Sequence, residues 1–410
     1  MVCPTEESTK SQNQSSQIEQ PSKGTTFFRT CFNGINGMSG IGLLSMPYAF
    51  SQGGWLSIIL LLVVAILCCY TALLLQRCMS GKPHVKTYFD IGELAFGKKG
   101  RALVTFFICI QIYLVAVEFL ILEGDNLNKL FPNMMFKIGD LRIEGKKGFV
   151  LISALVILPT TWLRNLGLLA YVSAGGVVAS IILVCSVFWV GAIDGVGFHQ
   201  RGELVKLEGF PTVISLFTFG FCGHTVFPTL CNSMKDRSRF NKVLLVCFIA
   251  STITYGVMAI QGYLMFGDYV NSQITLNLPL SKISSHVAIY TTLINPFTKY
   301  AVAVTPLANA IEDRLCKSLA FSILIRTLIV VSTMLVAMFI PLFGYVMAFI
   351  GAFLCVTVSM LLPCICYLKI KKASQIMRLE FIFIIGILFL GFIVAVLGTF
   401  ISVKQIIKHL

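Results

Sequence analysis

A chain of 410 residues that is 56% hydrophobic and only 12% charged, with a mean hydropathy of +0.85, is too apolar for a soluble domain. Its net charge of +14, from 32 basic and 18 acidic residues, falls almost wholly outside the apolar runs. The charge therefore reads as membrane topology, which argues against a nucleic-acid partner.

The first 24 residues are rich in Ser, Gln, Glu and Lys and carry no apolar run, so they read as a short disordered cytosolic tail without a cleavable signal. Apolar segments of roughly spanning length follow at about 25–50, 54–78, 102–127, 149–164, 168–193, 210–234, 241–266, 285–311, 320–340, 342–368 and 379–402. The prediction is an all-α polytopic membrane protein of about eleven transmembrane helices. The fourth segment is short, and the Arg164-Asn165 turn blurs its boundary with the fifth, so ten or twelve spans stay open. Domain organisation is economical: a single transmembrane domain over 25–402 and a short C-terminal tail over 403–410, with no room for a separate catalytic module.

The first segment is unusual for a spanning helix. Asn33-Gly34-Ile35-Asn36-Gly37-Met38-Ser39-Gly40-Ile41-Gly42 holds four glycines, and Pro47 follows. Glycine weakens helices, and non-helical backbone survives at membrane depth only where protein or a water-filled cavity satisfies it. The sixth segment repeats the pattern with Gly220, Gly223 and His224 ahead of Pro228. Paired interruptions point to a transporter's central site. A broken helix offers free N–H groups at one half and free carbonyls at the other, which suits a zwitterionic amino acid. Gly37, Met38, Ser39, Gly40 and Gly42 are the expected substrate cradle, with Phe219, Gly220 and Gly223 across from it and Tyr113 a further contact. The same glycines also permit close helix packing, with Gly34, Met38 and Gly42 at small-xxx-small spacing.

Charged or titratable groups inside spans are the coupling candidates. Lys299 lies mid-span in Asn295-Pro296-Phe297-Thr298-Lys299-Tyr300, with Asn295 on its face. Its ammonium reads as a substitute for a bound sodium ion or as a proton exchanger, against the alternative of snorkelling. Glu118 in the third span either pairs with Lys299, carries protons, or is solvated near the lumenal end. His224 reads as a pH sensor or as a neutral histidine bonded to a carbonyl freed by the break. Arg326 is expected to snorkel to the cytosolic surface.

With the tail cytosolic, 20 Lys and Arg fall on the cytosolic side and 10 on the other, with Lys299 and Arg326 inside spans, as the positive-inside rule requires. Eleven spans then put the C-terminus in the lumen or outside. The 14 cysteines are mostly within spans, and no Cys/His spacing suits a metal, so neither a disulfide framework nor a metal site is predicted. No cofactor is implied.

Thr26-Phe27-Phe28 through Gly53-Gly54-Trp55, including Leu44-Ser45-Met46-Pro47-Tyr48-Ala49, together with Asn295 to Tyr300 and Thr305-Pro306-Leu307-Ala308, resembles the amino acid/auxin permease family. The similarity is greatest to plant vacuolar amino-acid transporters and covers the chain after residue 24. The resemblance implies a LeuT-like fold: two inverted five-span repeats over about 25–193 and 210–368, the first and sixth helices broken, and an extra helix at about 379–402. It further implies proton-linked exchange or symport of neutral amino acids at the vacuolar membrane by a monomer, with sodium coupling less favoured. A plasma-membrane amino-acid or auxin symporter and a transporter-like sensor are the alternatives. No polar pore stripe suggests a channel, and the five scattered histidines supply no enzyme site.

Overall fold

The computed structural model describes residues 24–138, 141–162, 169–315, 318–371 and 376–409. The expected N-terminal tail, apart from Gly24, and the Arg164-Asn165 turn lie outside the described residues.

The chain is a bundle of helices. α1 (Phe27–Met38), a 3-10 turn (Ile41–Ser45) and α2 (Met46–Gly53) make up the first segment. α3 (Ser57–Met79), α4 (Tyr88–Leu130), α5 (Gly145–Trp162) and α6 (Leu169–Ala192) follow. The sixth segment is α7 (Phe210–Gly220) and α8 (Phe227–Ser233). α9 (Phe240–Phe266), α10 (Ile283–Leu315), α11 (Leu319–Phe339), α12 (Phe343–Phe349), α13 (Leu362–Lys371) and α14 (Arg378–His409) complete the order. Two π-helical stretches, Ile350–Cys355 and Thr357–Leu361, join α12 to α13.

Seven helical stretches among the described residues are long and apolar enough to cross a membrane: Ser57–Met79, Tyr88–Leu130, Gly175–Ala192, Arg237–Tyr269, Leu319–Phe339, Phe343–Lys371 and Arg378–His409. At the other four expected positions the helices are interrupted, shorter or more polar. Prolines and polar residues are the reason in α10, which carries Pro296 and Pro306 internally. α14 runs on to His409, past the expected end at 402. A two-stranded hairpin, β1 (Met135–Ile138) antiparallel to β2 (Leu141–Glu144), sits between α4 and α5.

Local chemistry sets the boundaries. α4 opens with a capping box: Thr87 Oγ1 accepts from the Asp90 amide, and the Asp90 carboxylate accepts from the Thr87 amide. It kinks at Phe96 and Gly97, and the +65° φ of Gly97 is a conformation other residues rarely take. Arg101 spans the kink, 2.8 Å from Asp90 and 2.9 Å from Glu93. A short amphipathic stretch therefore precedes the long apolar one within α4.

Packing places the two interrupted segments at the centre. α1 lies against α9 and α6, while α7 lies against α2, α3 and the first π-helical stretch. Gly351 in that stretch fits against the Ser215 carbonyl, leaving no space for a Cβ. α10 packs between α6 and α4.

Arg326 departs from its expected snorkelling. It is 4% exposed and donates to Glu312 Oε1 at 3.0 Å, Asn309 Oδ1 at 3.2 Å and Thr161 O at 3.0 Å. The cause is Glu312, which brings a carboxylate from α10 to a guanidinium on α11. A buried charge with a hydrogen-bonded counterion has no need to reach water.

Candidate transport site

The two interruptions face each other. α1 ends at Met38, and Ser39 and Gly40 leave the helix before the 3-10 turn, whose first bond runs from the Leu43 amide to Gly40 O at 3.3 Å. The amides of Gly40, Ile41 and Gly42 thus precede any hydrogen-bonded turn, the position at which a helix presents donors. α7 ends at Gly220, and residues 221–226 form tight turns before α8. A Cβ on Gly42 would stand 3.0 Å from Gly220 Cα and 3.4 Å from the Phe219 ring. Gly223 abuts Met38, and Gly37 abuts Val226. The glycines therefore let break pack against break, so the close-packing role is real at Gly42 and Gly220. Gly40 is different: a Cβ there would meet only Met38 O, at 4.0 Å. Met38 and Ser39 are buried.

Backbone carbonyls freed by the end of α1 are taken up by two side chains from other helices. Lys299 donates to Ser39 O at 2.8 Å and Asn36 O at 3.2 Å. Tyr255 on α9 places its hydroxyl 2.8 Å from Met38 O and 2.8 Å from Gly220 O. An ammonium at the C-terminal end of a helix is also favourably placed in the helix dipole. The Asn36 side chain lies flush on α6 at Gly176, where a Cβ would collide with it.

Beside the first break is a small cavity lined by Gly40, Ile41, Leu44, Leu122, Ser180, Thr292 and Asn295, among others. Asn295 and Thr292 line it from α10, where Pro296, lacking an N–H, leaves the Thr292 carbonyl without its helical donor. Lys299 follows Asn295 by one turn of the same helix.

The remaining expected residues are placed less centrally. His224 is fully buried, with Nε2 3.1 Å from Cys68 O and 3.0 Å from Thr71 Oγ1. Facing a carbonyl, Nε2 carries the proton and donates. Its carbonyl belongs to α3 rather than to a break. Tyr113 is half-buried on α4 and packs against the main core. Glu118 does not pair with Lys299 and is not solvated: it is fully buried, and neither oxygen has a hydrogen-bond partner among the described residues. Lys299 instead donates to the Asn36 and Ser39 carbonyls at the end of α1.

Sequence reasoning missed several groups. Tyr255 sits in an apolar run that gives it no signal. Glu123, five residues after Glu118, is equally buried and unpartnered among the described residues. At one end of the bundle, Asp125 pairs with Lys146 and accepts from Gln273 Nε2 at 2.8 Å, and Asn126 donates to Gln273 Oε1 at 2.7 Å. At that same end Lys206 holds Asp268 at 2.6 Å and Ser51 O at 3.2 Å, fastening the 194–209 loop over α2. Burial alone would lower the Lys206 ammonium, but the Asp268 carboxylate outweighs it and holds the group above its ordinary value. Gly54, at φ +72°, lets the chain turn beneath Glu203. At the opposite end Thr25 pairs with the end of α8 through Thr25 N to Ser233 O at 2.8 Å and Lys235 N to Thr25 O at 3.1 Å.

The described residues form a multi-pass helical membrane protein in which the α1–α2 and α7–α8 junctions pack against each other. The transmembrane amino acid transporter protein family matches residues 23–404. Amino acid transporter AVT1I of Arabidopsis thaliana is 48% identical over 396 residues, covering 95% of this chain and 98% of that protein. AVT1J is 48% identical over 391 residues (94% and 92%), and AVT1B 42% identical over 393 residues (95% and 73%). The chain belongs to the transmembrane amino acid transporter family.

Proposed function

We propose that this chain is a secondary active transporter that couples proton movement to exchange or symport of neutral amino acids, at the vacuolar membrane. The single observation that carries the coupling role is the Lys299 ammonium seated on Asn36 O and Ser39 O at the end of α1. A fixed positive charge there does what a bound cation would do, stabilising freed carbonyls, and its loss or gain of a proton would change that contact. Coupling needs a charged contact that differs between two states of the protein, and an ammonium that reaches from α10 to the moving break supplies one.

In this reading the chain has eleven spans: α1 with α2, α3, the apolar part of α4, α5, α6, α7 with α8, α9, α10, α11, α12 to α13, and α14. The first ten form two inverted repeats in the LeuT manner over about 25–193 and 210–368. α1, α2, α7 and α8 rock against a scaffold containing α4 and α10, giving alternating access. The substrate carboxylate meets the amides of Gly40, Ile41 and Gly42, with Gly37, Met38 and Ser39 beside it. Its ammonium meets carbonyls at the breaks, and Phe219, Gly220, Gly223 and Tyr113 shape the side-chain pocket. Asn295, Glu118 and His224 support proton movement. The tail is cytosolic and α14 ends in the lumen, so the 194–209 loop and its Lys206–Asp268 pair close the lumenal side. The protein acts as a monomer in the bilayer.

Purified protein in liposomes, offered a panel of radiolabelled neutral and acidic amino acids, tests the proposal. Uptake of neutral amino acids under a proton gradient alone is the expected result. Uptake that requires sodium would replace it with a sodium symporter, and no uptake under either gradient would favour a sensor.

A further inference from the structure

Both helix breaks converge on one phenol. Tyr255 is fully buried on α9, and its hydroxyl oxygen lies 2.8 Å from the last carbonyl of α1, Met38 O, and 2.8 Å from the last carbonyl of α7, Gly220 O. A phenol carries one hydrogen and a carbonyl none. Three oxygens therefore share a single proton. Nearby carbonyls are served by others: Asn36 O and Ser39 O by Lys299, Phe217 O by the Phe221 amide at 3.0 Å, and Phe219 O by the Cys222 amide at 3.2 Å. Whichever carbonyl Tyr255 does not serve is left facing an oxygen lone pair, a costly arrangement in a buried place.

The surroundings hold this shortage in place. Gly42 sits against Gly220, so the two breaks cannot close further, and the Tyr255 ring is fixed by Phe221 at a centroid distance of 5.2 Å. A Cβ on Gly220 would meet the Tyr255 ring at 3.2 Å.

We propose that Tyr255 is a positioning residue that clips the two breaks to each other and leaves one of their carbonyls short of a donor, a shortage that the substrate's primary ammonium makes good. The proposal rests on the reading of the breaks as the amino-acid site. A primary ammonium brings three N–H groups to this oxygen cluster. Each methyl added to the nitrogen removes one, and a hydroxy acid brings no positive charge.

The test is competition against radiolabelled leucine uptake in proteoliposomes by leucine, N-methylleucine, N,N-dimethylleucine and the corresponding 2-hydroxy acid, for wild type and Tyr255→Phe. In wild type, inhibition should weaken stepwise along the series, by about tenfold or more from leucine to N,N-dimethylleucine, the worth of hydrogen bonds to a charged group. In Tyr255→Phe the apparent affinity for leucine should fall about tenfold with a smaller change in maximal rate, and the preference for the primary amine should shrink by a similar factor. A purely structural role would weaken all four competitors alike, so an unchanged preference in Tyr255→Phe overturns the proposal. Should that variant not yield monodisperse protein, the wild-type series decides, and a flat series overturns it. Failure of wild type to take up any amino acid would instead refute the functional reading itself.

Discussion

Lys299 and Tyr255 satisfy the end of α1 by different means, a charge and a single shared hydrogen, and the difference sets what substitution should do. Lys299→Ala removes the only side-chain donor to Asn36 O and Ser39 O among the described residues. It should yield folded protein in the membrane, seen as a monodisperse peak in detergent, with uptake abolished or no longer driven by a proton gradient. The glycines separate cleanly at this scale. Gly42→Ala must push backbone from backbone at Gly220 and should cost about 1–3 kcal/mol, the range for overpacking, read as a lowered melting temperature. Gly40→Ala, with nearly open space for its Cβ, should leave the melting temperature close to wild type. Equal destabilisation by both would show that the breaks do not pack as described.

Helices α5, α10 and α11 are joined by the buried Arg326–Glu312 pair, which Asn309, Ser322 and Thr161 complete. Removing one member leaves an uncompensated charge, so Arg326→Met should destabilise by about 3–5 kcal/mol in thermal unfolding. Adding Glu312→Gln to that variant should recover part of the loss. A milder cost for the single change than for the double would contradict the pairing. Elements were legible in the sequence where hydropathy alone decides them, as in α3, α9, α11 and α14. Gly220, Gly223 and Pro228 fall at or near the boundary between α7 and α8. Lys299 stood out because a lysine in the middle of an apolar run is costly unless paired or neutralised. Tyr255, Glu123 and the Arg326 pairing were not legible, since each gains its meaning from a helix far away in sequence. A tyrosine in α9 becomes notable only when Met38 and Gly220 meet at its hydroxyl. The hairpin at 135–144 was hidden because its strands of four residues carry too little pattern.

Across the whole molecule, the ties are divided between two ends, with the breaks between them. The Thr25–Ser233–Lys235 pairing fastens the start of α1 to the end of α8, so α1 and α8 should move together. At the other end, Lys206 with Asp268 and Lys146 with Asp125 hold the 194–209 loop, α4 and α5 in place. Motion of α1 relative to α10 would alter the Lys299 contact, since Lys299 belongs to α10 and its acceptors lie at the end of α1. The central claim is that this contact links proton movement to amino-acid movement. Proteoliposomes loaded with a pH-sensitive dye test it most directly, by recording internal pH when a transported neutral amino acid is added outside. A substrate-dependent pH change is expected in wild type and should be absent in Lys299→Ala; a wild-type-sized pH change in that variant would show that the contact is not the link.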